Sequence, residues 1–358
     1  MRVLQIGSDR SKRGILVPGS PAYLRQKAYA AQFGCLDIVG YSLRSDGFKE
    51  TRDGSLNIYP TRSWTKLLYG TNALRIALRL PRHDVVSAQD PHDCGLLGLW
   101  IARIRGVPFH VQVHSDVLAA SYGFHSITNF IRFHIALFVL ARADGIRVVS
   151  NRIKASIEVR FTPKRPIAVL PIFVDIQKFR NPAQNQNLAA RFATFKTKLL
   201  FVGRLEAEKN PSLALEVLAS SAPADTCLIV VGTGSERALL EKTAHRLGVE
   251  ERVFFEGETD SAPYYAVADL LLVTSDYEGY GLVIVEALAA GKPVLSTDVG
   301  VAREAGAIIA PAEEFDCALN DWFRSGPREG HLAGYPYANF DEYVAAYCAD
   351  IMACAQTR

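Results

Sequence analysis

Two carboxylates stand eight positions apart in the stretch EGYGLVIVEALAAGKPV (278–294), and glycines lie on both sides of them. A strand is predicted to end at Ser275 and an apolar helix to begin near Leu282. A helix N-terminus attracts phosphate because its first N–H groups have no partner within the helix. In the turn, Glu278 can accept hydrogen bonds from hydroxyl groups, and Glu286 can hold a ribose diol. The stretch is typical of a site for a sugar, a diphosphate and a ribose, although a loop glutamate and an exposed helical glutamate would also explain an isolated pair.

Two cations follow another predicted strand in VGRLEAEKNP (202–211). Gly203 allows a tight turn there, and Arg204 and Lys209 come directly after it. The planar fork of an arginine and the point charge of a lysine both suit a diphosphate. Many surface loops hold one Arg and one Lys, so this stretch is informative only in combination with others.

A glycine pair, Gly232 and Gly234, follows a third predicted strand in VVGTGSER (230–237). The spacing favours close backbone approach to a ligand, but the third glycine of the dinucleotide fingerprint is missing. The two glycines are explained equally well by a simple turn.

Short apolar runs alternate with helical patterns along the first half of the chain, which predicts a parallel sheet covered on both faces. The predicted strands are 3–7, 36–42, 84–89, 108–114, 145–150 and 167–171. The predicted helices are 21–34 (ending at the C-cap Gly34), 65–81, 95–106, 127–143 and one that is opened by Ser150 or Asn151.

The second half repeats this alternation after a polar stretch, NPAQNQN (181–187), which is the best linker candidate. Its predicted strands are 198–203, 227–232, 253–257, 270–275 and 293–298, with helices at 212–220, 236–248, 262–268, 282–291 and 339–355. We therefore predict an N-terminal domain over 1–180, a C-terminal domain over 188–335, and a final helix in 336–358 that packs back toward the first domain. Ligands of such sheets bind outside the carboxyl ends of the strands.

Composition indicates an ordinary globular protein of two domains, with 358 residues, 49% hydrophobic and 22% charged. No signal peptide is recognised, and the apolar run 135–141 is far shorter than the ~20 residues of a membrane span. The six cysteines lack C-x-x-C spacing, so we expect reduced thiols and a cytoplasmic location. Residues 1–180 hold 26 Lys and Arg against 12 Asp and Glu, and the remainder holds 14 against 25. The basic half favours an anionic partner such as nucleic acid, a phosphorylated acceptor or an acidic membrane face, unless it reflects sequence drift alone.

Taken together, GRLEAEKN and the E-x7-E stretch, in this order and at this distance, resemble the retaining glycosyltransferases of the GT-B fold, family 4 (group 1). The resemblance extends more loosely over 85–117, 143–157 and 170–179. It implies an α/β protein with two Rossmann-like parallel-sheet domains facing across a cleft.

The resemblance also implies roles for individual residues. Arg204 and Lys209 would neutralise the donor diphosphate, Glu278 would bind hydroxyls of the donor sugar, and Glu286 would hold the ribose. His114, which ends a first-domain strand, would lie near the reacting sugar, although a lone histidine is more often structural. The base would rest against backbone near Glu256 and Gly257. The expected catalytic set is His114, Arg204, Lys209 and Glu278, and the donor-binding set is Gly203, Arg204, Lys209, Glu256, Gly257, Glu278, Gly279, Tyr280, Gly281, Leu282, Val283 and Glu286.

The loop after the first strand departs from the glycine-rich form that is frequent in the family. Gly19 and Ser20 precede a helix there and could offer backbone N–H groups to a phosphate. Cations crowd the same loop, and we interpret it as the acceptor edge, with Gly19, Ser20, Arg25 and His92 as its candidate residues beside Arg10, Lys12 and Arg13.

The implied activity is transfer of a hexose from a UDP- or GDP-sugar to a glycan or lipid-linked acceptor, with retention and without a metal or other cofactor. We expect an anionic membrane face, rather than nucleic acid, as the partner of the basic half. Three alternatives remain open at this point: another GT-B sugar-nucleotide enzyme such as an epimerase or phosphorylase, a silent sugar-nucleotide-binding protein, and a nicotinamide-dependent oxidoreductase. The missing G-x-G-x-x-G argues against the last.

Overall fold

The computed structural model describes residues 1–8, 11, 14–118, 127–182 and 185–356. It divides the chain into two compact units: unit 1 is Met1–Pro171 with Asn339–Arg358, and unit 2 is Ile172–Ala338. The candidate cations Arg10, Lys12 and Arg13 lie outside the described residues. Within the described part, no helix has both the length and the apolar composition needed to cross a membrane.

Unit 1 contains a sheet of eight strands in the order β3-β4-β2-β1-β5-β6-β7-β8. All pairs are parallel except β3 with β4. The central strand is the run RVLQIG, whose Val3, Leu4 and Ile6 are buried in the core. The strands are β1 (Arg2–Gly7), β2 (Cys35–Gly40), β3 (Thr51–Asp53), β4 (Leu56–Pro60), β5 (Val85–Ala88), β6 (Phe109–Val113), β7 (Gly145–Val148) and β8 (Ala168–Val169).

The helices of unit 1 begin and end at the capping residues that the sequence contains. The Ser20 hydroxyl accepts the Tyr23 N–H at 3.0 Å, Pro21 takes the first helical position, and Gly34 ends the helix with φ 90°. The described helices are α1 (Pro21–Phe33), α2 (Tyr69–Arg79), α3 (Asp93–Arg105), α4 (Ile127–Leu140), α5 (Asn151–Glu158) and, from the chain end, α14 (Phe340–Ala355).

The C-terminal helix α14 completes unit 1. The ring of Tyr347 stacks on that of Tyr29 with centroids 3.8 Å apart. Asp350 accepts a hydrogen bond from Nε2 of His110 on β6 at 2.9 Å. The end of the chain is thus part of the same core as its beginning.

Unit 2 contains a six-stranded parallel sheet in the order β11-β10-β9-β12-β13-β14. Its strands are β9 (Thr197–Val202), β10 (Thr226–Val231), β11 (Val253–Gly257), β12 (Leu270–Val273), β13 (Val294–Ser296) and β14 (Ile308–Ile309). Its helices are α6 (Ile176–Arg180), α7 (Gln186–Arg191), α8 (Pro211–Ser220), α9 (Arg237–Arg246), α10 (Ala262–Val267), α11 (Leu282–Ala289), α12 (Ala302–Ala305) and α13 (Phe315–Ser325).

Three local features differ from the sequence-based expectations. The hairpin β3–β4 was not predicted, and the predicted helix 65–81 starts as a 3-10 turn at Lys66–Leu68 before α2. Helix α6 belongs to unit 2, because Phe179 is buried there and packs edge-on against Tyr265 with centroids 5.6 Å apart. Part of the predicted linker is the start of α7, capped by Asn185.

Candidate active site

The carboxyl ends of β9 and β10 are joined by backbone hydrogen bonds, which fix the loop that holds the two predicted cations. The Gly203 N–H donates to the Val231 carbonyl at 3.0 Å, and the Leu205 N–H donates to the Thr233 carbonyl at 2.9 Å. A Cβ atom at Gly232 would lie 1.8 Å from the Gly203 carbonyl oxygen. The glycine pair therefore serves the close approach of neighbouring loops, which favours the turn interpretation.

Lys209 and Glu278 form the centre of the site. Lys209 Nζ lies 2.5 Å from Glu278 Oε1, and the two side chains are only 16% and 13% exposed. The Ser275 hydroxyl donates to the same carboxylate oxygen at 3.0 Å. A charge-assisted pair with this little exposure to water is stronger than an ordinary surface ion pair.

The backbone around this pair is locked by a neighbouring hydroxyl. Thr274 Oγ1 donates to the carbonyls of Lys209 and Asn210 at 3.0 and 2.8 Å. The Asp276 N–H donates to the Glu208 carbonyl at 2.9 Å. The end of β12 and the loop after β9 are consequently held as one piece, with the lysine and the glutamate facing each other.

Arg204 is placed differently from Lys209. Its side chain is exposed and its Nη2 donates to Glu208 Oε1 at 2.7 Å. Exposed pairs of this kind contribute little to stability, so the guanidinium can exchange Glu208 for another anion at low cost.

The turn between Glu278 and α11 is held in place by contacts with the segment that follows β13. The Val301 N–H donates to the Tyr280 carbonyl at 2.9 Å, and a Cβ at Gly300 would lie 2.3 Å from that carbonyl oxygen. Gly281 has φ 88° and is the N-cap of the helix, whose first residues are Leu282 and Val283. The predicted turn, including Gly279, therefore leads directly into a helix N-terminus.

Glu286 lies one turn into α11 and is largely enclosed. Its Oε2 accepts a hydrogen bond from the Tyr265 hydroxyl at 2.8 Å. Desolvation raises the pKa of Glu286, although the Tyr265 hydrogen bond and the charge of Lys178 act in the opposite direction. The Tyr265 hydroxyl positions the carboxylate through Oε2, and the other oxygen can accept a hydrogen bond from a further donor.

Glu256 and Gly257 end β11, at the edge of the sheet. The Glu256 side chain is 8% exposed, and its Oε2 accepts hydrogen bonds from Arg191 and from the Tyr264 hydroxyl, both at 2.8 Å. The Gly257 carbonyl accepts the Gly232 N–H at 2.8 Å. The Glu256 carboxylate is thus held by protein groups through Oε2, whereas its buried Oε1 has no hydrogen-bond partner among the described residues.

His114 directly follows β6 in unit 1, with its ring exposed. Desolvation, reinforced by the charges of Arg147 and Arg25, lowers the pKa of the His114 imidazole to about 3. With its pKa lowered, the imidazole is neutral at pH 7.

The predicted acceptor residues surround the start of two helices of unit 1. The Ser20 N–H donates to the Val17 carbonyl at 3.1 Å and its hydroxyl donates to Gly14 O at 2.8 Å, so Ser20 fixes the loop and does not offer a free amide. Gly19 precedes it with φ 80°, and Arg25 lies half-buried on α1.

His92 is the N-cap residue of α3. Its Nδ1 lies 3.2 Å from the Arg132 carbonyl, and its N–H donates to Asp90 Oδ1 at 2.8 Å. Desolvation lowers the pKa of its imidazole. The candidate residues therefore form two sets, one around Lys209 and Glu278 in unit 2 and one at strand and helix ends of unit 1.

Comparisons with known proteins identify the family. The model described as Glycosyl transferases group 1 matches residues 186–308, and the model described as Glycosyltransferase Family 4 matches residues 36–178. A GDP-mannose-dependent alpha-(1-6)-phosphatidylinositol monomannoside mannosyltransferase of Mycobacterium tuberculosis is 31% identical over 295 residues, 77% of this chain and 72% of that relative. The chain belongs to the group 1 glycosyltransferases.

This group 1 glycosyltransferase is also similar to a second named relative and to a solved structure. An alpha-monoglucosyldiacylglycerol synthase of Streptococcus pneumoniae is 27% identical over 63% of this chain, and the chain spans 54%, about half, of that relative's length. The crystal structure of Anabaena HepE in complex with UDP superposes with a TM-score of 0.70 at 19% identity, over 100% of this chain and 95% of that one. The GT-B fold class predicted from the sequence is confirmed.

Sequence reasoning missed the residues that hold the site in place. Thr274 and Ser275 directly follow the apolar strand β12, and a polar pair at the carboxyl end of a buried parallel strand was the available signal. It also missed a buried polar network in unit 1, where Gln112 donates to Tyr347 and accepts from Arg147 at 2.8 and 2.6 Å. This second group is spread over distant parts of the chain and has no local sequence signature.

Proposed function

We propose that this group 1 glycosyltransferase moves a hexose from a UDP- or GDP-sugar to a glycan or lipid-linked acceptor, with retention at the anomeric carbon. The observation that carries the proposal is the Lys209–Glu278 pair, 2.5 Å long, at the N-terminal end of α11. It joins in one place a cation for the diphosphate, an acceptor for sugar hydroxyls and a helix N-terminus for phosphate.

The proposed chemistry follows the movement of charge. The bond between the anomeric carbon and the phosphate oxygen breaks, the acceptor hydroxyl adds to that carbon and gives its proton to the departing diphosphate, and the nucleoside diphosphate leaves. Negative charge therefore grows on the diphosphate as the sugar becomes oxocarbenium-like. The ammonium of Lys209 and the start of α11 are fixed groups that stabilise that charge, and Arg204 can add to them by exchanging Glu208 for the diphosphate.

The two glutamates take binding roles in this proposal. Glu278 already accepts hydrogen bonds from Lys209 and Ser275 through one oxygen, so its other oxygen is suited to a sugar hydroxyl. Glu286 has the geometry to accept from a ribose hydroxyl beside Tyr265. Neither role requires a nucleophilic carboxylate, and no metal is proposed.

The proposed acceptor side is unit 1. A neutral His114 can donate or accept a hydrogen bond at a sugar hydroxyl, because its pKa lies below the working pH. The names of two relatives, a monoglucosyldiacylglycerol synthase and a phosphatidylinositol monomannoside mannosyltransferase, contain lipid acceptors and support a lipid-linked acceptor here. The UDP complex of Anabaena HepE supports a nucleoside diphosphate as the leaving group.

The test is ligand-induced thermal stabilisation with UDP, GDP, ADP, CMP and NAD, each with EDTA and again with magnesium. A ligand at ~100 times its Kd adds about 2.7 kcal/mol to the free energy of unfolding, which shifts the melting temperature visibly. We expect UDP or GDP to stabilise the protein in EDTA, and Glu286→Ala to remove the shift. Stabilisation by NAD alone would overturn the proposal in favour of an oxidoreductase.

A second measurement separates transfer from simple binding. Slow hydrolysis of the matching nucleotide sugar, followed by NMR of the released sugar, should give the anomer of the donor first. Binding without any turnover, with or without lipid extract as acceptor, would identify a silent sugar-nucleotide-binding protein instead.

A further inference from the structure

The loop between β4 and α2, residues 61–68, presents large apolar side chains to solvent; we call it the Trp64 loop. Trp64 is 73% exposed and Leu67 is 93% exposed, and Leu68 beside them is exposed as well. Single exposed apolar residues are ordinary on a protein surface. A tryptophan and two leucines within five consecutive residues form one apolar tip, and such a patch marks an interaction site.

The Trp64 loop is held in place by contacts at its base. Arg62 has a left-handed backbone, with φ 47°, and its N–H donates to the Ser42 hydroxyl at 3.0 Å. The Ser63 N–H donates to the Ser42 carbonyl at 2.8 Å, and the Ser63 hydroxyl accepts from Asn72 at 2.9 Å. A strained backbone that buried groups hold in place is more often functional than accidental. The contacts of Arg62 and Ser63 therefore fix the loop in a conformation that exposes Trp64 and Leu67.

Cations outnumber acids around the Trp64 loop, where the exposed Asp46 lies two residues from Arg44. Residues 54–83 contain five Lys and Arg and no Asp or Glu. On the loop itself Arg62 and Lys66 are exposed, and the guanidinium of Arg44 lies 4.6 Å from the centre of the Trp64 ring. Three exposed cations, Arg44, Arg62 and Lys66, thus lie beside the apolar tip, and this combination is complementary to a bilayer with an apolar interior and an anionic surface.

We propose that the Trp64 loop docks this protein on an anionic lipid bilayer. Trp64 takes the interfacial level that tryptophan prefers, Leu67 enters the acyl boundary, and the neighbouring cations contact lipid phosphates. Each cation near an anionic leaflet adds a factor of about five to the affinity. The proposal stands on this surface alone and does not depend on the proposed transfer reaction.

A bilayer fits the surface better than an acidic protein does. Protein interfaces are depleted of charge at their core, whereas here three apolar residues and a lysine share five consecutive positions of one short loop. Interfacial membrane anchors combine these two features within a few residues. Binding of the Trp64 loop to an acidic protein without binding to anionic vesicles would contradict the proposal.

The first test is sedimentation of the full chain with vesicles of equimolar phosphatidylglycerol and phosphatidylcholine, compared with phosphatidylcholine alone. We expect binding to the anionic vesicles only, and its loss at roughly 1 M NaCl, where the Debye length is about 3 Å. Trp64→Ser/Leu67→Ser should weaken binding about tenfold or more. Arg62→Gln/Lys66→Gln should weaken it by a factor of roughly 25.

The matched control is Val159→Ser/Leu239→Ser, which removes two apolar side chains that are 85% and 52% exposed elsewhere. It should bind vesicles as the wild-type chain does. The proposal is overturned if the wild-type chain does not sediment with anionic vesicles, or if Trp64→Ser/Leu67→Ser binds unchanged. Loss of binding in Ile131→Ser/Phe138→Ser alone would move the docking surface to α4.

A fluorescence measurement reports on the loop directly. In a Trp100→Phe background, the solvent-exposed tryptophan emission comes from Trp64, since Trp322 is buried. We expect a blue shift on adding anionic vesicles and none with phosphatidylcholine alone. An unshifted spectrum at saturating vesicle concentration contradicts insertion, and an unchanged UDP- or GDP-induced melting shift in the loop variants shows that the donor site is intact.

Discussion

Lys209 and Glu278 are 69 residues apart in the chain, yet their charged groups lie 2.5 Å apart. The pair joins the loop after β9 to the turn before α11. The Thr274 hydroxyl and the Asp276 N–H join the same two segments through backbone carbonyls, and the Lys209–Glu278 pair is the contact between their charged side chains.

Replacing Lys209 by Met should lower kcat/KM for the nucleotide sugar by ~10²–10³, because a fixed cation at the developing charge is lost. The unpaired Glu278 should also cost about 1–3 kcal/mol of stability. The measurements are steady-state kinetics and urea unfolding. Arg204→Gln is the control, with a smaller loss of activity and almost none of stability. An unchanged kcat/KM in the destabilised Lys209→Met protein would reduce the lysine to a structural role.

Glu286→Gln should separate stability from binding. The folded-state pKa of Glu286 is raised, so its contribution to stability is present at low pH and lost as pH rises through that pKa. Removing the charge should therefore stabilise the protein at pH 8, by less than about 1 kcal/mol because the group is partly exposed, and change little near pH 4. Melting curves against pH check this. Nucleotide affinity should fall at the same time, and tighter binding would contradict the ribose role.

Asp37→Asn should destabilise unit 1 strongly. The buried Asp37 carboxylate accepts hydrogen bonds from His83 at 2.8 Å, Arg2 at 3.1 Å and Asn57 at 2.8 Å. Desolvation alone would raise its pKa, but the hydrogen bonds from His83 and Asn57 and the charges of His83 and Arg2 lower it. Breaking a buried ion pair costs about 3–5 kcal/mol.

The pH dependence of this effect has a definite sign. The Asp37 contribution is present above the ordinary carboxyl pKa and is lost as pH falls through the lowered one, so the stabilities of the wild-type and Asp37→Asn proteins should begin to converge as pH falls below about 4. Urea unfolding at several pH values measures it. The control is Asp321→Asn, an exposed acid paired with Arg324 at 3.9 Å, which should change stability by at most ~0.5 kcal/mol. If Asp37→Asn and Asp321→Asn changed the free energy of unfolding equally, the hydrogen bonds of Asp37 with His83, Arg2 and Asn57 would not be important for stability.

Gly234→Ala should destabilise unit 2 by steric conflict. A Cβ at Gly234 would lie 2.2 Å from the Leu205 carbonyl oxygen, which accepts the Glu236 N–H at 2.9 Å. We expect a loss of about 1–3 kcal/mol by thermal or urea unfolding. Gly70→Ala in α2 is the matched control, since its Cβ would meet nothing within 4 Å, and it should add about 0.4–1 kcal/mol. Similar losses at both positions would argue against the close approach.

Local features of the fold were predictable where a few adjacent residues determine them. Helix α1 follows from Ser20 and Pro21 at its start and Gly34 at its end, and the strands of both sheets follow from buried apolar runs. The hairpin β3–β4 escaped detection because TRD is short and polar, although Gly54, with φ 63°, provides the turn. Helix α6 lies before the predicted boundary at residue 180 but belongs to unit 2, and its partner Tyr265 is distant in sequence.

The candidate site was predictable to the level of segments and residue types. The motifs around Lys209 and Glu278 identify both members of the central pair. Their mutual contact, and the enclosure of Glu256 by Arg191 and Tyr264, depend on tertiary packing that no local pattern contains. The same reason hides the network around Arg147, whose Nε and Nη1 find no hydrogen-bond partner among the residues that the structure describes.

The return of α14 to unit 1 sets an order for folding during synthesis. The Tyr347 hydroxyl donates to Gln5 Oε1 at 3.2 Å across 342 residues of chain. At the usual 5–20 residues per second, a ribosome needs roughly 20 to 70 s between these two residues. Unit 2 is one continuous segment and has all its strands before that time. Strand β1 is made before the other described strands and completes its packing only after α14 has been made, so it waits longest for its final partner.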